Sequence, residues 1–286
     1  HELKQGKDSV TVNRNEELTL TFIPDDFTEP YYGDLTGEKG SSFSILTGLK
    51  DNTPGAAATE LFKQDVKDSF NWTEKSYQVK YTPDKAENTL EATFTHSSIM
   101  HVHVTGGTAE VNTTVLEQNP TDTGSFRHVI VPDNTQVEIT LKDTTSHNPV
   151  YKAAYWKQVS TAGGNNMGTD VSSQLNAAGS KTYTYTTQNV KQPKALNVTF
   201  GEGQTVEVTV NNGKLLNDDG AWSESSGTYT RIVKNNGSLV VKIKPNDGYG
   251  LKSITVNGYP IDIEQAVKDN LIKYDSAAGV YTHTTH

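Results

Sequence analysis

The chain has 286 residues, a net charge of −9, 33% hydrophobic residues and no cysteine. That length exceeds one ordinary sandwich and suits two or three domains of about 100 residues. The composition excludes disulfides, thiolate metal sites and cysteine nucleophiles, while the charge argues against nucleic acid or an anionic membrane surface, which need a basic stripe. No apolar run approaches the roughly 18–20 residues of a membrane span.

Leu18-Thr-Leu-Thr-Phe22 alternates apolar and polar side chains and so predicts a strand, after the turn Asn13-Arg-Asn15. Residues 24–40 form an acidic insertion in which Tyr31 and Tyr32 lie among Asp25, Asp26, Glu29 and Asp34. Aromatic rings beside carboxylates suit a polyhydroxylated ligand, a basic peptide or calcium; the plainer reading is a solvated acidic loop. In residues 59–70, Leu61, Phe62, Val66 and Phe70 fall at helical spacing with Thr59 as N-cap. Trp72 follows, placed to cover the helix end. The polar, Pro-containing stretch 82–88 reads as a linker.

Leu90 to Phe94 and Met100 to Val104 read as a hairpin. Val102 and Val104 would face the core, leaving His101 and His103 side by side on the outer face. That spacing could share a zinc or nickel ion, although two histidines without a third ligand are ordinarily just solvated. Strands then follow at 137–141, after the turn Pro132-Asp-Asn134, and at 152–156, with a short helix at 170–177 and a Tyr-rich strand at 183–187. After a second linker at 188–195, a matching hairpin is expected from Leu196-Asn-Val-Thr-Phe200 and Val206-Glu-Val-Thr-Val210 across Gly201-Glu-Gly203. Trp222 sits in a polar loop whose neighbours give it little reason to be buried, so it reads either as an exposed ring able to stack on sugars or anchor an interface, or as a lid folded back on its own module. A turn at Lys234-Asn-Asn-Gly237, strands at 239–243 and 252–256, a helix at 263–272 and a closing strand Tyr281-Thr-His-Thr-Thr285 complete the chain.

A repeat orders these elements. Residues 75–107 return without a gap as 181–213, matching Tyr77 with Tyr183, Phe94 with Phe200 and Val104 with Val210. Cutting at the linkers gives β-modules at 1–82, 88–187 and 195–286. The fold expected is mainly β: tandem immunoglobulin-like sandwiches, each with one short helix, or alternatively α+β repeats of β-grasp type. Matched aromatic residues read as common core, and unmatched ones as the place to seek function.

Asn246-Asp-Gly-Tyr-Gly-Leu-Lys-Ser-Ile-Thr-Val-Asn-Gly258 resembles a phrase common in repeat modules of Gram-positive surface proteins. The resemblance implies an extracellular or cell wall-associated segment of a longer chain, in an adhesin stalk or a glycan-degrading system. Lys–Asn cross-links occur in such domains, but no Lys, Asn and acid trio can be picked out. Serine-hydrolase, zincin and phosphate-loop signatures are all missing, and Asn217-Asp-Asp-Gly220 lacks the spacing of a calcium loop. The expectation is therefore a non-catalytic stalk or adhesion scaffold with no cofactor, facing a host or environmental glycan or protein. The alternative is a carbohydrate-binding segment that uses Trp222, Tyr31, Tyr32 and Trp72.

Overall fold

The computed structural model describes residues 11–23, 43–74, 76–158, 168–191, 194–218, 220–256 and 259–285. Within them the chain is mainly β. It begins with β1 (Leu18–Phe22), β2 (Phe43–Asp51), β3 (Thr59–Glu60), α1 (Gln64–Asp68) and β4 (Tyr77–Tyr81), then enters the long strand β5 (Leu90–Thr105). Next come β6 (Gly107–Val111), β7 (Glu117–Gln118), β8 (Phe126–Pro132), β9 (Glu138–Asp143), β10 (Val150–Gln158) and β11 (Thr169–Asp170). β12 (Asn176–Gly179) and β13 (Thr182–Thr186) lead to a second long strand, β14 (Lys194–Thr209). The remainder is β15 (Gly213–Leu215), β16 (Ser223–Ser225), β17 (Thr228–Lys234), β18 (Leu239–Pro245), β19 (Ile254–Val256), β20 (Tyr259–Ile261), α2 (Ile263–Lys268), β21 (Ile272–Asp275) and β22 (Val280–Thr285). The three expected turns are present, with Asn15, Asn134 and Asn236 at φ of 62°, 65° and 56°, a left-handed conformation that Asn tolerates.

One ten-stranded sheet runs through the described residues, and three of the smaller sheets, β1-β4, β12-β13-β9-β6 and β15-β18-β22-β21, pack against it. Three hydrophobic cores follow one another along the chain. The first gathers Ile45, Leu46, Leu49, Val66, Tyr77 and Val79, together with Ile130 of β8. In the second, Val102, Val129, Leu196 and Trp156 of the large sheet meet Ile139, Leu141 and Tyr185 of the β12-β13-β9-β6 sheet. The third places Val206, Val208 and Tyr229 against Leu215, Leu239 and Val241 of the β15-β18-β22-β21 sheet. This is sheet-on-sheet packing, driven by apolar side chains at every second position.

Neither expected hairpin forms. β5 and β14 are each single strands of 16 residues. A tight two-residue hairpin turn needs positive φ, and neither Gly201 nor Gly203 has it. Instead each long strand changes partner halfway. β5 pairs with β2 from Leu90 to Ser97, then with β8 from Ser97 to His103. β14 pairs with β10 from Lys194 to Glu202, then with β17 from Gly203 to Thr209. The changeover residues, Ser97 and Gly203, lie at matched positions of the repeat. The linker cuts at 82–88 and 188–195 thus fall just before strands that serve two cores each.

A polar latch marks each changeover. Ser98 Oγ donates to Asp133 Oδ1 at 2.6 Å, and His96 Nδ1 lies 2.6 Å from Asp133 Oδ2. At the matched site Gln204 donates to Asn235 Oδ1 at 2.7 Å, and Asn235 donates to Glu202 Oε2 at 2.9 Å. Two side chains two residues apart on the long strand are therefore held by one residue of the following turn. The Ser98, Asp133 and His96 trio is not a hydrolase triad, because the carboxylate rather than the imidazole stands in the middle.

The linkers are not free hinges. Asn15 N–H donates to Pro83 O at 2.9 Å, Asn134 N–H to Val190 O at 2.7 Å, and Val190 N–H to Thr135 O at 2.9 Å. Val190 is fully buried. A buried hydrogen bond from Tyr77 Oη to Glu117 Oε1 further ties the first core to β7. Burial pushes both groups above their ordinary pKa values, so at neutral pH the phenol stays protonated to donate.

The expected helices shorten. Thr59 lies in β3 and does not cap, and α1 begins after Lys63. The second helix reduces to a single 3₁₀ turn, Ser172–Gln174, held by Asp170 accepting from Ser172 N–H at 2.8 Å. Only α2 keeps a side-chain cap, from Asp262. Such short helices cannot cross a sheet in the β-grasp manner.

Phe94 also departs from its repeat partner. Phe200 is 2% exposed, stacked on Tyr183 with ring centroids 5.6 Å apart, whereas Phe94 is 42% exposed. The first half of β14 is flanked by β10 and β5, while among the described residues the first half of β5 pairs with β2 alone. Lateral neighbours, not the sequence match, decide burial here.

Gly203 sits where three backbones converge. A Cβ there would lie 2.8 Å from Tyr151 N and 2.7 Å from a methyl of Ile232. Gly203→Ala is expected to lower stability by roughly 1–3 kcal/mol through overpacking. Urea titration reads this directly, and an unchanged midpoint would show that the changeover tolerates a side chain.

Candidate functional site

The first candidate is one face of the large sheet around the two predicted histidines. Val102 and Val104 point into the second core as expected, so His101 and His103 share the opposite face. The expected solvation fails for His101, which is 3% exposed. Its cross-strand partner is His128, with ring centroids 4.5 Å apart in an edge-to-face arrangement. Phe126 lies 4.7 Å from His128 and 5.1 Å from His103, between centroids. Phe126 in turn packs on Ala195, which is fully buried.

Asp122 fixes the orientation of His128. Its Oδ1 lies 2.7 Å from His128 Nδ1, and its other oxygen accepts the His128 backbone N–H. A proton on Nδ1 would leave Nε2 of a neutral ring as the lone-pair nitrogen, the pattern that readies an imidazole for a metal or a proton. The remaining requirement is a convergent partner. Among the described residues no group of three His, Cys, Asp or Glu side chains could hold a metal ion; what the imidazoles form here is a packed ladder. The signal for His128 and Asp122 was absent from the spacing of His101 and His103, because both residues come from a strand and turn about 25 positions away.

The tryptophans are placed differently from one another. Trp222 is 6% exposed and belongs to the third core, so of the two readings the structure shows the folded-back ring and not the exposed one. The cause is Asn217, whose side chain accepts from Trp222 N–H at 3.0 Å and donates to Trp222 O at 2.9 Å. This staple folds the loop inward, and Arg231 lies over the ring at 5.8 Å. Asp218, one of the carboxylates considered for calcium, pairs with Lys242 at 2.9 Å. Trp72 is partly buried against the first core and packs edge-on to Phe70 just beyond α1, in the covering position anticipated for it. Tyr31 and Tyr32 lie outside the described residues.

A surface that the repeat pattern hid lies in the third unit. Tyr274 of β21 is 52% exposed and stacks on Tyr281 of β22, with centroids 4.5 Å apart and planes 29° from parallel. The two are register partners, in line with Ile243 of β18. They therefore extend the inner face of the sheet beyond its apolar core. Tyr281 opens the closing strand read from its alternation, and Tyr274 lies outside the matched segments 75–107 and 181–213.

Lys181 Nζ lies 3.5 Å from Asp143 Oδ2, an ordinary ion pair to a buried carboxylate. Burial alone would raise the Asp143 pKa, but contacts from Thr145 and the Lys181 charge hold it below the usual carboxylate range. Among the described residues no helix is long and apolar enough to cross a membrane. No protein-family model matches the chain, and no curated protein matches it either.

Trp222→Ala should lower stability by about 3–5 kcal/mol, as expected for a buried aromatic, and Asn217→Ala by about 1–3 kcal/mol. Thermal or urea unfolding measures both. A Trp222→Ala protein as stable as the parent would return this ring to the surface.

Proposed function

We propose that this chain is a non-catalytic scaffold segment of a secreted or cell-surface bacterial protein, holding successive β-sandwich units at fixed spacing as a stalk or adhesion support. The observation that carries the reading is the changeover of β5 and β14. A stalk needs units that do not fold onto each other, and a continuous strand resists bending far more than a linker does. The latches at Asp133 and Asn235 and the docked linkers act in the same direction. The bacterial surface location rests on the resemblance of residues 246–258 to Gram-positive repeat modules.

Small-angle scattering should describe one rigid particle whose units keep a fixed arrangement. Scattering that demands an ensemble of hinged units would sink the scaffold reading. An antibody against the chain should label intact cells of the producing organism without permeabilisation, and labelling only after lysis would remove the surface location.

A second reading, carbohydrate binding, is favoured by Tyr274, exposed and backed by the stacked Tyr281, since the outer face of such a ring can meet a sugar ring. Trp222 no longer supports it, because loss of binding in Trp222→Ala would be confounded by loss of folding. Titration against a panel of soluble polysaccharides should show binding that Tyr274→Ala abolishes at unchanged stability. A panel without any binder would leave only the scaffold.

A further inference from the structure

The middle sandwich differs from its neighbours in how its first and last strands meet. The chain enters it along β5 and leaves it along β14. These two strands lie side by side and parallel, in register from Met100 with Lys194 to Thr105 with Thr199. In the first unit, by contrast, β1 pairs with β4 and the first half of β5 with β2, in separate sheets. In the third, the second half of β14 and β22 also lie in separate sheets. Among the described residues, only the middle unit has its entering and leaving strands hydrogen-bonded to each other.

We infer that the β5–β14 pair is a mechanical clamp, which makes the middle unit the load-bearing lock of the chain. This inference rests on the scaffold reading for its purpose but not for its geometry. Tension on the termini pulls β5 toward its N-terminal end and β14 toward its C-terminal end. Because the strands are parallel, those pulls are opposed along the strand axis and load every bond of the ladder together. A ladder pulled from one end would instead yield one bond at a time, each contributing only about 1 kcal/mol net.

Two further observations suit a clamp. The pair is flanked on both sides, by β8 and by β10, so neither strand is a free edge. One face is shielded from water throughout and the other over its first part, grading to exposed Thr105 and Thr199. Met100, Val102, Leu196 and Val198 cover one face, and His101 and Ala195 are buried on the other. Excluding water removes the competing partner that lets a hydrogen bond exchange under load. The imidazole and phenyl ladder of His101, His128, Phe126 and His103 thereby gains a role as the outer cover of the clamp.

The test is single-molecule force spectroscopy on the full 286-residue chain held by its termini. The middle unit is expected to unfold last, at a force roughly twofold or more above the other events, because its bonds break together rather than in sequence. The absence of cysteine allows its event to be assigned. In the variant H103C/N197C, oxidation joins register partners and hides the segment between them. The expected result is loss of one high-force step of roughly 30 nm, at about 3.3–3.6 Å per residue. A lost step at or below the force of the other steps overturns the clamp. Should that variant fold poorly, handles on T105C/T199C, both exposed, load the same ladder from one end. The rupture force should then fall by about half or more, as bonds yield singly, and equal forces in the two geometries overturn the proposal. A rigid molecule in scattering that lacks the high-force step loses the clamp alone; a hinged molecule that keeps the step loses the scaffold alone.

Discussion

The backbone hydrogen bonds of two long strands are the constraint on which the rest of this molecule depends. An extended strand carries donors and acceptors on both edges, and wherever an edge is buried they must be paired. β5 and β14 meet that demand by borrowing neighbours from two units in succession. The changeover then dictates the local chemistry. Gly203 allows three backbones to converge, Ser97 occupies the matched position fully buried, and the Asp133 and Asn235 latches stop the strand from shifting by a residue. A one-residue slip would turn every core side chain outward.

Burial follows from this arrangement more than from residue type. Where a long strand is flanked on both sides, as at 100–104 in β5 and 195–200 in β14, most of its side chains are hidden, polar His101 included. Where it has one neighbour, as at 90–96 and 204–209, most of them stay partly or fully exposed, among them Phe94. The middle unit is thus the best shielded of the three, and its histidines are packed because the sheet places them under neighbours.

Much of the fold was legible from alternation and turn chemistry. The strand at Leu18–Phe22, the three left-handed asparagine turns and the closing tyrosine strand came directly from local pattern, because period two and positive φ are local properties. What was not legible is lateral. The sequence 201–203 has the composition of a turn, yet the neighbours available to β14 keep it extended. Trp222 illustrates the same limit in a loop: its burial depends on Asn217 bracketing its backbone, a contact between two residues that looked like independent turn formers. Tyr274 was invisible for the opposite reason. Its exposure arises because a sheet overhangs its core, which no pattern within β21 records.

The position of Ser97 and Gly203 also bears on how such a chain can grow or be divided. The segment that can be added or lost without orphaning a sheet edge runs from the middle of one long strand to the middle of the next. The matched segments 75–107 and 181–213 lie 106 residues apart, but the changes of partner fall inside them, at Ser97 and Gly203, and not at their ends. A piece ending in the linker at 82–88 would lack the strand that covers β2, and would carry an open edge ready to pair with another molecule. Repeat and fold are out of phase in this protein, and each of the first two cores shares a long strand with the one that follows it.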